Sequence, residues 1–167
     1  TVLFYNRTLF DREGLPRPDA NWDWNDMLRA AQKLTKRDAK DRLVQAGLIP
    51  GTWNEYRFMV LWNGGRFCTE DGERVTADSP EAREALQFLH DLRFKYKVCP
   101  SPSEVRSASG GDMFNNNRAA MLVGGRWWTA IFKNLSDVDW AVAPLPKSFR
   151  GRRPSYLTFN SLGVNAN

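Results

Sequence analysis

A chain of 167 residues, 42% hydrophobic and 26% charged, is long enough to bury one sizeable core and has the balance of a folded globular domain. No stretch is apolar enough to serve as a membrane-spanning helix. The net charge of +5 comes from scattered cations, and their one tight cluster, Arg150-Gly151-Arg152-Arg153, reads as a solvated hairpin tip, so no nucleic-acid partner is expected.

In chain order, Thr1 to Asn6 reads as a strand, and Arg7 to Glu13 as a short helix stopped by Gly14. The two prolines of Leu15-Pro16-Arg17-Pro18-Asp19 make an extended linker. Trp22-Asp23-Trp24-Asn25-Asp26 announces the next helix. Asp23 caps it, Asp26 follows three residues on, and Trp24, Met27, Leu28, Ala31 and Leu34 recur at helical spacing. Lys33, Lys36 and Arg37 fall at its C-terminal end, where cations favour the dipole.

Arg42 to Ile49 reads as a strand that turns at Pro50-Gly51-Thr52. A helix from Trp53 to Trp62 ends at Asn63-Gly64-Gly65. A short hairpin is expected around Glu70-Asp71-Gly72. Asp78-Ser79-Pro80-Glu81 combines a cap, a first-turn proline and an acid, and starts a helix whose stripe is Ala82, Ala85, Leu86, Leu89 and Leu92. His90, the single histidine, lies off that stripe and is assigned to the surface.

A further helical stretch from Ser103 is interrupted or capped again around Gly110-Gly111-Asp112 and leaves through Asn115-Asn116-Asn117. Ala119 to Val123 is an apolar strand, Thr129 to Lys133 a helix, and Trp140 to Ala143 another strand. Tyr156 to Asn165 supplies the last strand. Helices alternating with short strands predict an α/β domain with a mixed sheet. Because Thr1 opens directly as strand and Ser161 to Asn165 ends in one, both ends read as cut from a longer protein.

No nucleophile signature, zinc-protease motif or phosphate loop is present. Cys68 and Cys99 have no metal-ligand spacing, and one histidine cannot complete a zinc site, so neither metal nor cofactor is expected. A disulfide joining the two cysteines, worth about 3–4 kcal/mol by loop closure, and a pair of free thiols are both open to the sequence. Most prominent acids are accounted for as helix starts. Glu55 and Asp112 are not, and they are the candidates for a glycosidase-like carboxylate pair.

Binding has more residues behind it than catalysis. In Met121-Leu122-Val123-Gly124-Gly125-Arg126-Trp127-Trp128 a strand meets a glycine turn and then a helix, which places Arg126 and Trp127 at the rim of a cleft. Gly125 leaves room for a ligand to approach the backbone. Arg126 offers a fork of donors and Trp127 a flat apolar face. That pairing suits a sugar, with hydroxyls at its rim and C–H groups on its faces. Trp53, Asn54, Tyr56 and Trp62 flank the other glycine turns and join the candidate site, with Trp62 equally able to close the apolar face of its own helix. Trp22, Trp24 and Trp140 are expected in the core.

Several ordered segments resemble extracytoplasmic solute-binding proteins of sugar ABC transporters, the maltose-binding type. They are Phe4-Tyr5-Asn6-Arg7-Thr8-Leu9-Phe10, Gly14-Leu15-Pro16, Trp22-Asp23-Trp24-Asn25-Asp26-Met27-Leu28, Asn63-Gly64-Gly65, Asp78-Ser79-Pro80-Glu81-Ala82, Phe114 with Ala120-Met121, Gly125-Arg126-Trp127, and Trp140 through Pro146. The resemblance implies one α/β lobe of a two-lobe, type II periplasmic-binding-protein fold, a mixed sheet flanked by helices. Residues 1–167 would form the C-terminal lobe, with 1–6 and 161–167 as hinge strands.

It implies a non-enzymatic carbohydrate-binding role in the substrate-binding component of an ABC sugar importer. The partners would be a mono- or oligosaccharide, the transmembrane permease subunits and the missing first lobe. The location would be extracytoplasmic, in the periplasm or lipid-anchored at the cell surface. Trp127 takes the place of the family's sugar-stacking tryptophan after a Gly-Pro pair, with Arg126 where proline is common. A two-lobe binder of a peptide or an anion, and a carbohydrate-active enzyme, are the alternative readings.

Overall fold

The computed structural model describes residues 1–51, 55–105, 109–135 and 137–154. In order these carry β1 (Val2–Asn6), α1 (Arg7–Arg12), α2 (Trp24–Leu34), β2 (Lys36–Arg37), β3 (Leu43–Gln45), α3 (Glu55–Trp62), α4 (Pro80–Phe94), α5 (Pro102–Val105), α6 (Gly110–Asn115), β4 (Met121–Gly124), α7 (Trp127–Phe132) and β5 (Trp140–Ala143). The expected final strand, residues 156–165, lies outside the described residues.

The central sheet has the order β4-β1-β5 with antiparallel neighbours, Phe4 lying between Leu122 and Val142. Parallel bridges at Ala46–Ala119 and Ile49–Leu122 bring the segment after β3 against the other side of β4, so strand directions are mixed as expected. Side chains alternate across the sheet. Leu3, Tyr5, Met121, Val123 and Ala143 enter one apolar cluster with α1, α2, α3 and α4, whereas Phe4 and Leu122 enter a second with α6 and α7. A sheet covered on both faces explains why β1 and β4 read as continuous apolar runs rather than alternating ones.

The helix starts follow local chemistry. Asp23 accepts from the N–H groups of Asn25 and Asp26 while Asp26 accepts from Asp23, a complete capping box. Ser79 caps α4 ahead of Pro80. Asn117, in the left-handed region at φ 56, takes the chain out of α6, a conformation asparagine tolerates.

Three local expectations are corrected. Helix α2 stops at Leu34 because Thr35 is already extended and turns its hydroxyl back to the Ala31 carbonyl, so Lys36 and Arg37 form β2 instead of a helix end. The expected strand 42–49 is regular only at Leu43–Gln45 and continues as isolated parallel bridges. In α4 the buried stripe uses Phe88, which stacks on Trp24 at 4.8 Å, while Leu86 is exposed.

Cys68 and Cys99 are both free, one exposed on the 66–76 hairpin and one fully buried, so they form no disulfide. Among the described residues no helix is long and apolar enough to cross a membrane.

Candidate functional site

Strand β4 delivers the candidate site. Its last residue, Gly124, sits opposite Val2, and Gly125 and Arg126 then lead into α7. Val123 donates to the Ile49 carbonyl at 2.9 Å, and the 46–49 segment runs parallel to β4. Both segments therefore leave the sheet at the same, carboxyl end, one into α7 and the other through Pro50 and Gly51 towards α3. Loops that follow the carboxyl ends of neighbouring parallel segments are where open α/β folds take ligands.

Helix α7 is divided into two faces by its own spacing. Trp128 and Phe132, four residues apart, turn inward. Their rings stack at 5.2 Å, and Phe132 also meets Phe4 edge-on at 5.2 Å and Phe114 at 4.9 Å. Its carbonyl accepts from Trp140 Nε1 at 3.0 Å. Trp127 and Ile131, also four residues apart, turn outward and are 53% and 45% exposed. The inward pair fixes the helix, and the outward pair leaves an apolar strip uncovered.

The glycines have a different use from the one their sequence pattern predicts. A β-carbon on Gly125 would stand 2.0 Å from Cζ3 of Trp127, and one on Gly124 would stand 2.5 Å from Cδ1 of Trp128. One on Gly111 in α6 would stand 1.9 Å from Cη2 of Trp128. The room made by these glycines is filled by indoles of the same chain, not held open for a ligand. The consequence for Trp127 is a six-membered ring packed against Gly125 while the residue stays half-exposed.

Arg126 is exposed, and its side chain makes no cap hydrogen bond to α7. Tyr56 is 49% exposed in the first turn of α3, with its ring edge-on to Phe67 of the hairpin at 6.4 Å. Trp53 and Asn54 lie outside the described residues. Trp62 is corrected from the candidate site to the core. It is fully buried, its Nε1 donates to the Pro146 carbonyl at 2.8 Å, and it packs edge-on against Trp24 at 5.3 Å. A ring with no exposed surface cannot stack on a ligand. Ile131, exposed on the same face as Trp127, is not among the residues singled out from the sequence, although its i,i+4 relation to Trp127 is present there.

The two carboxylates left over by the sequence have structural partners. Glu55 forms an ion pair with Arg93, linking the start of α3 to the end of α4. Asp112 completes a capping box with Ser109 at the start of α6. Among the described residues no group of histidine, cysteine and acidic side chains is arranged to hold a metal ion. A cavity of about 370 Å3 lies between the hairpin and the start of α4, lined by Gly65, Arg66, Cys68, Glu70, Thr76 and Ser79. It shares no element with the Trp127 platform.

Residues 1–165 match the family model for the bacterial extracellular solute-binding protein. Among curated relatives, the arabinooligosaccharide-binding protein of Halalkalibacterium halodurans is 24% identical over 151 residues, covering 87% of this chain and 33% of that protein. The galactooligosaccharide-binding protein of Bacillus subtilis is 23% identical over 172 residues, covering 99% and 39%. Among solved structures, an ABC substrate-binding protein from Listeria monocytogenes in complex with cycloalternan is similar at a TM-score of 0.77 and 36% identity, over 89% of this chain and 37% of that one. An ABC transporter solute-binding protein from Thermotoga lettingae bound with alpha-D-tagatose is similar at a TM-score of 0.64 and 30% identity, over 87% and 38%.

The chain thus spans between a third and two-fifths of the length of the curated relatives it matches. These matches agree with a mixed α/β lobe of the two-lobe periplasmic-binding-protein fold. On a family match that runs nearly end to end, the chain belongs to the bacterial extracellular solute-binding proteins.

Proposed function

We propose that this chain is the carbohydrate-binding C-terminal lobe of the substrate-binding component of an ABC sugar importer, and that Trp127 is the surface on which a sugar ring stacks. The observation that carries the reading is the half-exposed indole of Trp127, seated on Gly125 where β4 passes into α7. A ring already packed against backbone loses little further freedom when a ligand covers it, which favours binding. The names of the relatives, oligosaccharide-binding proteins and sugar-bound ABC substrate-binding proteins, support a carbohydrate ligand and a non-enzymatic role.

In this reading a first lobe supplies the rest of the cleft, and β1 is one of the hinge strands. The lobes close over the sugar, and the closed form docks on the transmembrane permease subunits. Closure is a population shift that the ligand drives only through contacts it makes in the closed state. The location that follows is extracytoplasmic, in the periplasm or lipid-anchored at the surface, consistent with the family's description.

A pyranose face covers on the order of 60 Å2 of indole, which at about 25 cal/mol per Å2 corresponds to about 1.5 kcal/mol, or roughly tenfold in Kd. The test is calorimetry of the full-length protein against a panel of oligosaccharides, with Trp127→Ala beside the wild type. The expected outcome is saturable binding that weakens about tenfold or more in the variant, and far weaker binding by the isolated lobe. Sugar binding that is indifferent to Trp127→Ala, or equal in the lobe and the full-length protein, would remove this reading.

A further inference from the structure

We infer that the sugar taken at this platform carries a carboxylate, a uronate-type residue, and that Arg126 is the side chain that selects it. The inference rests on the proposed role of Trp127 and names the chemical class of its ligand.

Arg126 directly precedes the exposed indole and is itself exposed, with no hydrogen bond or ion pair to its guanidinium among the described residues. That is unlike most arginines of the chain. Arg7 pairs with Asp139, Arg17 with Asp11, Arg42 with Asp38, Arg93 with Glu55, and Arg150 with Glu81 and Glu84. Arg12, Arg57, Arg74, Arg118, Arg152 and Arg153 also lack an acidic partner among the described residues, but none adjoins an exposed indole.

The local charge is one-sided as well. From Gly125 to Lys133, the turn and helix that present Trp127, the chain has two cations, Arg126 and Lys133, and no aspartate or glutamate. The element that presents Trp127 therefore offers donors and positive potential, and no carboxylate to accept from the hydroxyls of a neutral sugar. A guanidinium is always charged, has only donors, and matches a carboxylate with two parallel N–H···O bonds. A uronate has both chemistries these residues offer to meet, C–H groups on its ring face for the indole and a C6 carboxylate at its ring edge for a guanidinium.

The test uses the full-length protein, titrated with galacturonate and glucuronate disaccharides and with their methyl esters, which keep the ring and remove the charge. For the wild type the acids are expected to bind at least tenfold more tightly than the esters, with the advantage shrinking as salt is raised. Arg126→Gln should abolish that advantage, lowering affinity for the acids at least roughly tenfold more than for the esters, with the melting temperature nearly unchanged. Arg126→Lys should restore part of it. Esters that bind as tightly as the acids, or an advantage that survives Arg126→Gln, would overturn the inference and leave the sugar-binding reading standing. Failure of every acid and ester to bind would also overturn it. The Trp127→Ala comparison on neutral oligosaccharides then judges the underlying reading separately.

Discussion

The six-membered ring of the Trp127 indole lies over Gly125 so closely that a β-carbon on the glycine would stand 2.0 Å from Cζ3. The glycine is therefore the seat of the platform. In Gly125→Ala the added methyl must displace the ring. Because the ring is half exposed, it can swing away without disturbing the core. The expected result is a melting temperature within about 3 °C of wild type and a loss of sugar affinity of about tenfold, similar to Trp127→Ala. Unchanged affinity in Gly125→Ala would mean that the seated position of the ring is irrelevant to binding.

Gly111 makes the contrasting case. Its missing β-carbon leaves room for Trp128, whose ring is stacked on Phe132 and would have to give up that contact to move. Gly111→Ala is expected to cost about 1–3 kcal/mol of stability, the usual penalty for overpacking a filled interior. Urea unfolding measures it, and a shift in midpoint with no change in slope is the signature to look for.

Trp62 extends the contrast to a buried indole. Trp62→Phe removes the hydrogen bond to the Pro146 carbonyl and leaves a void beside Trp24. A loss of about 1–3 kcal/mol is expected. Sugar affinity should stay within about twofold of wild type, a change of under half a kcal/mol. A large change in affinity at intact stability would return Trp62 to the binding site.

Trp62 and Trp127 also mark where the sequence stops being readable. Both stand beside a glycine pair at a helix end, and their local contexts differ little. What separates them is the Pro146 carbonyl, 84 residues away from Trp62 along the chain, which no local pattern announces. The same holds for the clearance around Trp128, which is shared by Gly111 and Gly124 from two different elements. The capping boxes at Asp23 and Ser109 and the proline start of α4 are, by contrast, settled within four residues. Asp23 and the α4 start are therefore legible, and so is a cap around Gly110-Gly111-Asp112, although the sequence alone does not assign it to Ser109 paired with Asp112. The short ladder of β2 with β3 escaped because Lys36 and Arg37 also satisfy the pattern of a cationic helix end.

Asp23 carries a pH dependence. Burial raises the pKa of its carboxyl, but the N–H groups of Asp26 and Asn25 outweigh that effect and hold it below the ordinary range. The unfolded chain titrates near the ordinary value of about 3.9. The cap therefore contributes fully above that pH, and the contribution is lost as the pH falls through the lower, folded value. Asp23→Ala should cost about 1 kcal/mol at neutral pH, and the difference from wild type should narrow in acid. Asp23→Asn, which keeps the acceptor and cannot titrate, should show no such narrowing. A gap between wild type and Asp23→Ala that stays constant from pH 7 to the acid limit of the folded state would contradict the capping role.

The two thiols should differ sharply in reactivity. Burial pushes the Cys99 thiol well above its ordinary pKa, and it lies inside the main core with no exposed surface. Thiolate is the attacking species, so both its low population and its inaccessibility suppress reaction. Cys68 stands exposed on the hairpin, bridged to Val75. A maleimide applied to the native protein should label Cys68 within minutes, and Cys99 only after denaturation, as peptide mass spectrometry would locate. Labelling of Cys99 at the same rate as Cys68 would mean that the contacts around Leu92 and Val98 open readily. A Cys68–Cys99 disulfide recovered from unreduced protein would require the hairpin to fold back onto the core in a different arrangement.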